Sequence, residues 1–129
     1  MKELTRAESE IMRILWQKER AFVQDIIDEM PAPKPAYSTV STIVRILEQK
    51  GVVGHQPYGR SHCYFPLVKK EQYTRGFLRK MMNRYFENSL PKMVSFFVQQ
   101  ESLSAGEIEE IRQLMEEKLR EKRGNNQNQ

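Results

Sequence analysis

The segment YSTVSTIVRILEQKG, residues 37–51, combines short hydroxyl side chains with one arginine at helical spacing. Glu and Lys would be better helix formers on a face that needed only solubility. Short hydroxyls let a helix backbone approach a surface closely, and both they and a guanidinium donate hydrogen bonds to anionic oxygens. We therefore expect this face to dock against an anionic partner, and a merely solvated face is the alternative. The residues concerned are Ser38, Thr39, Ser41, Thr42 and Arg45.

Other side chains with chemical potential lie in the segment that follows. His55, His62 and Cys63 are metal-ligand types. Adjacent residues of a strand point to opposite faces, so at most one of His62 and Cys63 joins His55, whereas a structural zinc site takes four ligands. No Gly-rich phosphate loop, G-x-S-x-G, H-E-x-x-H or triad pattern occurs. We expect no metal, no cofactor and no enzyme activity.

Two helices are predicted to support the hydroxyl-bearing segment. Thr5-x-x-Glu8 is a capping-box pattern, and apolar residues at helical spacing follow it, which predicts a helix over 5–18. A shorter helix is predicted over 22–30. The proline-rich connector PAPKPA then ends that helix and holds the chain extended.

The third helix and a β-hairpin complete the predicted first domain, residues 1–70. Ser38 or Thr39 is expected to cap the third helix, and Gly51 to end it. The pattern then changes to two short apolar strands around YGRS, which predicts a hairpin. The fold class is therefore mainly α with a small β-hairpin: a winged helix-turn-helix domain followed by a helical domain.

In winged helix-turn-helix domains the second helix of the motif enters the major groove of DNA. We therefore expect DNA contacts from the third helix, from its end and from the wing. A winged helix that binds a protein instead of DNA is the alternative. The expected contacts are Ser38, Thr39, Ser41, Thr42, Arg45, Lys50, Arg60 and His62.

The remaining helices are predicted to form a dimerisation domain over residues 71–123, with a disordered polar tail at 124–129. Their apolar stripes have little else to cover them after a complete small domain, so a second copy of the chain is the expected partner. Folding back on the first domain is the alternative. The predicted dimerisation residues are Phe77, Leu78, Met81, Tyr85, Leu90, Val94, Phe97, Ile108, Ile111, Leu114 and Met115.

Composition and charge indicate the cellular compartment of the protein. The chain has 129 residues and a formal net charge of +4, and a mildly basic balance is compatible with phosphate binding. No apolar run approaches the ~20 residues that a membrane span needs. The N-terminal segment has no apolar core typical of a signal peptide, and the single Cys63 cannot form an intrachain disulfide. We expect a cytoplasmic protein without direct membrane association.

Three blocks, LTRAESEIMRILWQ, YSTVSTIVRILEQKGVV and YGRSHCYFP, resemble the winged-helix repressors of the BlaI/MecI type. The resemblance implies a homodimeric transcriptional repressor, with the third helix of each protomer in one half-site of a dyad operator. It places Thr39, Ser41 and Thr42 near the bases. Where the family commonly has Arg, this chain has Ile46.

The resemblance also implies a proteolytic switch. In the resistance systems of this family, a membrane sensor with a zinc protease domain triggers cleavage of the repressor in its dimerisation region. The corresponding bond here is Phe96-Phe97, which lacks the family's asparagine. Copper-responsive relatives carry paired C-x-C ligands near the C-terminus, and this chain has none, so copper sensing is not expected.

Overall fold

The computed structural model describes residues 3–127 and contains six helices and one hairpin in that range. The chain divides into two compact units, and the boundary falls between Met81 and Met82, inside the fourth helix, whereas the sequence placed it after residue 70. The elements are α1 (Arg6–Lys18), α2 (Val23–Asp28), α3 (Tyr37–Gln49), β1 (Val53–Tyr58), β2 (Ser61–Pro66), α4 (Lys70–Tyr85), α5 (Leu90–Gln100) and α6 (Ala105–Gln127).

The first unit has one hydrophobic core, to which α1, α2, α3 and the hairpin all contribute. Three residues on one face of α3, Val40, Val44 and Leu47, are at most 1% exposed. They pack with the apolar faces of α1 and α2, as the helical spacing predicts. The largest fully buried side chains are Ile11, Met12, Ile14, Leu15, Ile26, Leu47, Val40, Val44 and Val53.

The start of α1 is tied to the end of α3 through Glu8. The predicted capping box is confirmed: Thr5 Oγ1 accepts the Glu8 N–H at 3.2 Å, and Glu8 Oε1 accepts the Thr5 N–H at 2.8 Å. The same carboxylate oxygen lies 2.8 Å from Lys50 Nζ, and Glu8 is only 3% exposed. Burial raises the pKa of the Glu8 carboxyl, but the hydrogen bonds from Lys50 and Thr5 outweigh it and hold that pKa below its ordinary value.

The connector between α2 and α3 is held by a lysine. Lys34 Nζ donates to the carbonyl oxygens of Ile27, Asp28 and Met30 at 3.1, 3.0 and 2.8 Å. These carbonyls lie at and just beyond the C-terminal end of α2, where a cation also complements the helix dipole. One side chain therefore fixes the linker that leads into α3.

The N-terminus of α3 differs from the prediction. The N-cap is Ala36, which makes no side-chain capping bond, so the expected cap at Ser38 or Thr39 is wrong. The extended backbone of Ala36, directly after Pro35, lets the helix begin at Tyr37, which places both hydroxyl residues inside its first turn. At the other end Gly51 has φ +81°, as expected of a residue that ends a helix in the left-handed region.

The hairpin is antiparallel, with register from Val53↔Pro66 to Tyr58↔Ser61. Its second strand is also paired on the outer side, because Ala21 and Tyr64 exchange two backbone hydrogen bonds of 2.9 and 2.8 Å. The sequence did not predict this bridge. It joins the wing to the loop between α1 and α2.

The second unit consists of helices without a core of their own. No side chain among residues 82–125 is buried. The predicted capping box at the start of α6 is confirmed, since Ser104 and Glu107 exchange side-chain to backbone hydrogen bonds of 3.1 and 3.2 Å. Helix α6 continues to Gln127, so residues 124–127 are helical instead of disordered, and the last two residues of the predicted tail lie outside the described part.

No helix in the described part of the chain combines the length and the apolar character that crossing a membrane requires.

The contact between Glu8 and Lys50 leads to a stability prediction. Because the folded pKa of Glu8 is lowered, its contribution to stability is present above the unfolded pKa of about 4.3 and is lost as the pH falls through the folded pKa. We expect Glu8→Gln to lower the free energy of unfolding by about 1–3 kcal/mol at pH 7 and by less near pH 3. Urea unfolding of the full chain at several pH values measures this.

A double-mutant cycle with Lys50→Met supplies the control. The double variant should be destabilised by less than the sum of the two single variants, by at least ~0.5 kcal/mol. Strict additivity would contradict a direct interaction between these two side chains.

Candidate nucleic-acid interface

The outward face of α3 is a surface without an exposed acidic side chain. The inner face is fixed in the core, so the residues opposite to it point away from the first unit. Glu48, the only acid of the helix, is half-buried and contacts His55 through its carboxylate. The exposed residues of α3 are Tyr37, Ser38, Thr39, Thr42, Arg45, Ile46 and Gln49.

Four of the five predicted contact residues of α3 lie on this face, and one does not. Ser38, Thr39, Thr42 and Arg45 are exposed, whereas Ser41 is only 9% exposed. Ser41 neighbours the apolar residues on the inner side of the helix, where its small size suits close packing. The expectation that Ser41 takes part in the outward surface is therefore corrected.

The hydroxyl group of Thr42 is already engaged within the helix. Thr42 Oγ1 donates to the carbonyl oxygen of Ser38 at 2.8 Å. This is the local side-chain to backbone bond that Thr often makes in helices. The hydroxyl keeps acceptor capacity, but its hydrogen is not available to an external partner while this bond persists.

Lys50, which the sequence predicted to reach phosphate from the end of α3, makes an internal contact in this structure. Its ammonium group pairs with the buried Glu8, and its side chain is 21% exposed. The pair joins α1 to the C-terminal end of α3, and the expected phosphate contact of Lys50 stays a prediction. The sequence offered no direct signal for this pair, because the two residues are 42 positions apart.

The wing presents Arg60 at its tip. Tyr58 and Ser61 are partners across a two-residue turn, in which Gly59 has φ +60°. A glycine with positive φ at the first central position is typical of a type II′ turn, which matches the twist of a hairpin. Arg60, the second central residue, is exposed.

One face of the wing contacts α3 through a cluster of rings and charges. The His55 and His62 rings stack with centroids 4.3 Å apart, and His55 Nδ1 contacts the Glu48 carboxylate. Burial raises the pKa of Tyr64, with Glu48 acting in the same direction and Arg45 opposing it. Helix and wing therefore share a packed junction, and His62 is exposed beside it.

The predicted separation of His62 from Cys63 is also seen, since Cys63 is buried while His62 is exposed. Within residues 3–127, no group of three or more His, Cys, Asp or Glu side chains is arranged to hold a metal ion.

The predicted dimerisation residues are largely exposed. Phe77 and Met81 are half-buried, and the other nine are exposed. On α5 and α6 the exposed fractions include 49% for Leu90, 56% for Phe97 and 64% for Leu114. Phe96 and Phe97, the predicted cleavage position, lie within α5, and Phe96 packs against Phe86 at a centroid distance of 5.6 Å.

The helix-turn-helix, the adjoining wing and the acid-poor face of α3 define a winged helix-turn-helix protein of the class that regulates transcription. The penicillinase repressor family model matches residues 4–117. The chain belongs to this family.

Two named repressors that are similar in sequence agree with this assignment. The methicillin resistance regulatory protein MecI of Staphylococcus aureus strain N315 is 29% identical over 90% of this chain and 95% of its own length. The penicillinase repressor of Bacillus licheniformis is 28% identical over 89% of this chain and 91% of its own. The solution structure of the DNA-binding domain of the repressor BlaI is 26% identical, covers 57% of this chain and 94% of that one, and has a TM-score of 0.48.

The turn of the wing gives a prediction with an internal control. Gly59→Ala should lower the free energy of unfolding by about 1–2 kcal/mol, because alanine is strained at φ +60°. Gly76→Ala, inside α4 and with no atom within 4 Å of the added Cβ, should raise it by about 0.5–1 kcal/mol. Urea unfolding of both variants measures this, and a stabilising Gly59→Ala would contradict the assigned turn.

Proposed function

We propose that this chain is a homodimeric transcriptional repressor that binds a two-fold symmetric DNA operator through α3. The observation that carries the proposal is the outward face of α3. This face has hydroxyls, an arginine and no exposed acid. Only the inner face of the helix packs in the core, so packing does not account for the residues on the outward face. Membership of the penicillinase repressor family supports the same conclusion.

Base and backbone contacts divide between helix and wing. Thr39, Thr42 and Arg45 lie on the surface that would enter the major groove, where Thr and Arg contact base edges. Ser38, in the first turn, would donate to a phosphate. Arg60 at the wing tip contacts the DNA backbone, and the exposed His62 lies behind it on the second strand.

The homodimer follows from the second unit. Residues 82–125 contain no buried side chain, yet α5 and α6 carry many large apolar residues. Monomeric proteins rarely leave large apolar surfaces uncovered. A second copy of the same helices would cover these faces through a two-fold interface, and that symmetry matches a dyad operator.

Dimerisation also provides a way to release the repressor from its operator. A dimer that places one α3 in each half-site binds far more tightly than a monomer with a single α3, because binding to the second half-site is then intramolecular. Cleavage at Phe96-Phe97 separates α6 from the DNA-binding unit and removes part of the dimer interface. A protease binds extended chain, so α5 has to unwind around this bond first. A membrane sensor metalloprotease, as the family resemblance implies, would carry out or trigger the cut.

The contact residues on α3 give the binding prediction. A duplex recovered by selection from a random-sequence pool serves as the specific site, and a scrambled duplex serves as the reference. We expect Thr42→Ala and Arg45→Ala to weaken binding to the selected site by about 1–3 kcal/mol and binding to the scrambled duplex by much less. Fluorescence anisotropy with the full chain measures both affinities.

Matched controls lie outside α3. Thr74 is an exposed threonine on α4 whose hydroxyl donates to the Lys70 carbonyl oxygen at 2.7 Å, as Thr42 does to Ser38. Arg13 is an exposed arginine on α1. Thr74→Ala and Arg13→Ala should bind like the parent protein. If Thr42→Ala and Arg45→Ala also did so, α3 would not be the recognition helix.

The dimer gives a separate prediction. Ile111, 41% exposed on α6, should be covered by the partner protomer, so Ile111→Asp should raise the dimer dissociation constant at least tenfold because a charge would be buried. Gln113→Asp, two positions along and on another side of the helix, should change it little. Sedimentation equilibrium measures both variants, and an unchanged Ile111→Asp dimer would contradict the proposed interface.

A further inference from the structure

The outward face of α3 carries one large apolar side chain, Ile46, which is 39% exposed. A single exposed apolar residue is common on protein surfaces and requires no explanation by itself. Ile46, however, does not stand alone. Thr39, Thr42 and Ile46 follow one another at spacings of three and four residues, so they form one line along the helix.

All three residues in this line carry methyl groups, and the hydroxyl of the middle one is turned inward. Thr42 Oγ1 donates to the Ser38 carbonyl oxygen at 2.8 Å, which directs the hydroxyl to the backbone of its own helix. The hydroxyl can then only accept, and the methyl group is the part of Thr42 that offers a partner an apolar contact. We call the line Thr39, Thr42 and Ile46 the methyl ridge.

The polar residues of the same face lie to one side of the methyl ridge. At ~100° per residue, Ser38, Arg45 and Gln49 fall on the flank of Thr42 opposite to Thr39 and Ile46. The face is therefore divided along its length. One flank offers hydrogen-bond donors, and the other carries the methyl groups of Thr39 and Ile46.

The major groove of DNA presents one apolar group, the 5-methyl of thymine, and apolar side chains and threonine methyls are suited to contact it. We propose that the methyl ridge reads thymine methyl groups in each half-site and that Ile46 is the residue that determines this preference. The inference rests on the proposed function, and it adds which feature of the bases the helix recognises.

The test removes the methyl group from the DNA without changing base pairing. Sites are first selected from a random duplex pool with the full-length chain. Each thymine of the selected site is then replaced by uracil, one symmetry-related pair at a time, and the affinity is measured by fluorescence anisotropy. Loss of one buried methyl costs about fourfold in affinity, so replacement in both half-sites should cost roughly 15-fold at the contacted position.

Variants connect this loss to Ile46. The Ile46→Ala variant should bind the thymine-containing site and the site with uracil at the contacted position almost equally. Because Ile46 is exposed, circular dichroism should show that this variant is folded. Leu67→Ala removes another exposed apolar side chain, 56% exposed and outside α3, and should keep the full uracil sensitivity. Ile46→Arg should select sites with guanine in place of that thymine, because arginine pairs with guanine edges.

The outcomes separate the two levels of the proposal. If a specific site is recovered but no uracil replacement weakens binding, or if Ile46→Ala keeps the parent's sensitivity, the methyl-ridge inference is overturned and the repressor function stands. If no sequence is enriched by the parent protein, the proposed function fails, and this inference fails with it.

Discussion

The packing of the inner face of α3 into the core determines the rest of the first unit. Val40, Val44 and Leu47 are removed from water almost completely, and burial of each such side chain contributes about 1.5–3 kcal/mol. Because a helix is rigid, fixing this face also fixes the direction of the opposite one. The hydroxyl residues and Arg45 therefore point outward on a supported scaffold, where a docking surface needs little ordering when it binds.

Polar contacts complete the positioning of α3 at both ends. Lys34 joins the linker before α3 to the last carbonyl groups of α2, and Lys50 joins its C-terminal end to Glu8 at the start of α1. The wing contacts the same helix through His55 and Glu48. Lys34 and Lys50 thus both make contacts inside the domain. Arg45 also lies exposed on the outward face of α3, and a guanidinium group suits bidentate contacts.

The sequence predicted the elements well because their signals are local. Capping boxes, helical apolar spacing and Gly51 each depend on residues within a few positions, and the structure confirms them. Burial of Ser41 and the pairing of Lys50 depend on neighbours distant in sequence, which no local pattern encodes. The cap of α3 was misplaced because backbone geometry after the prolines, not a side chain, begins that helix. Neither the dimer interface nor the DNA contacts are tested by these observations, and both stay predictions.

Recognition of DNA by α3 is tested most directly by mapping where DNA contacts the protein. Amide and methyl NMR spectra of the full-length chain are recorded with and without a selected operator duplex. If α3 is the recognition helix, the largest shifts occur at Thr39, Thr42, Arg45 and Ile46, with smaller ones at Arg60 in the wing, and they weaken as salt is raised. Shifts confined to α5 and α6, or no shifts in α3 at saturating duplex, would contradict recognition of DNA by this helix.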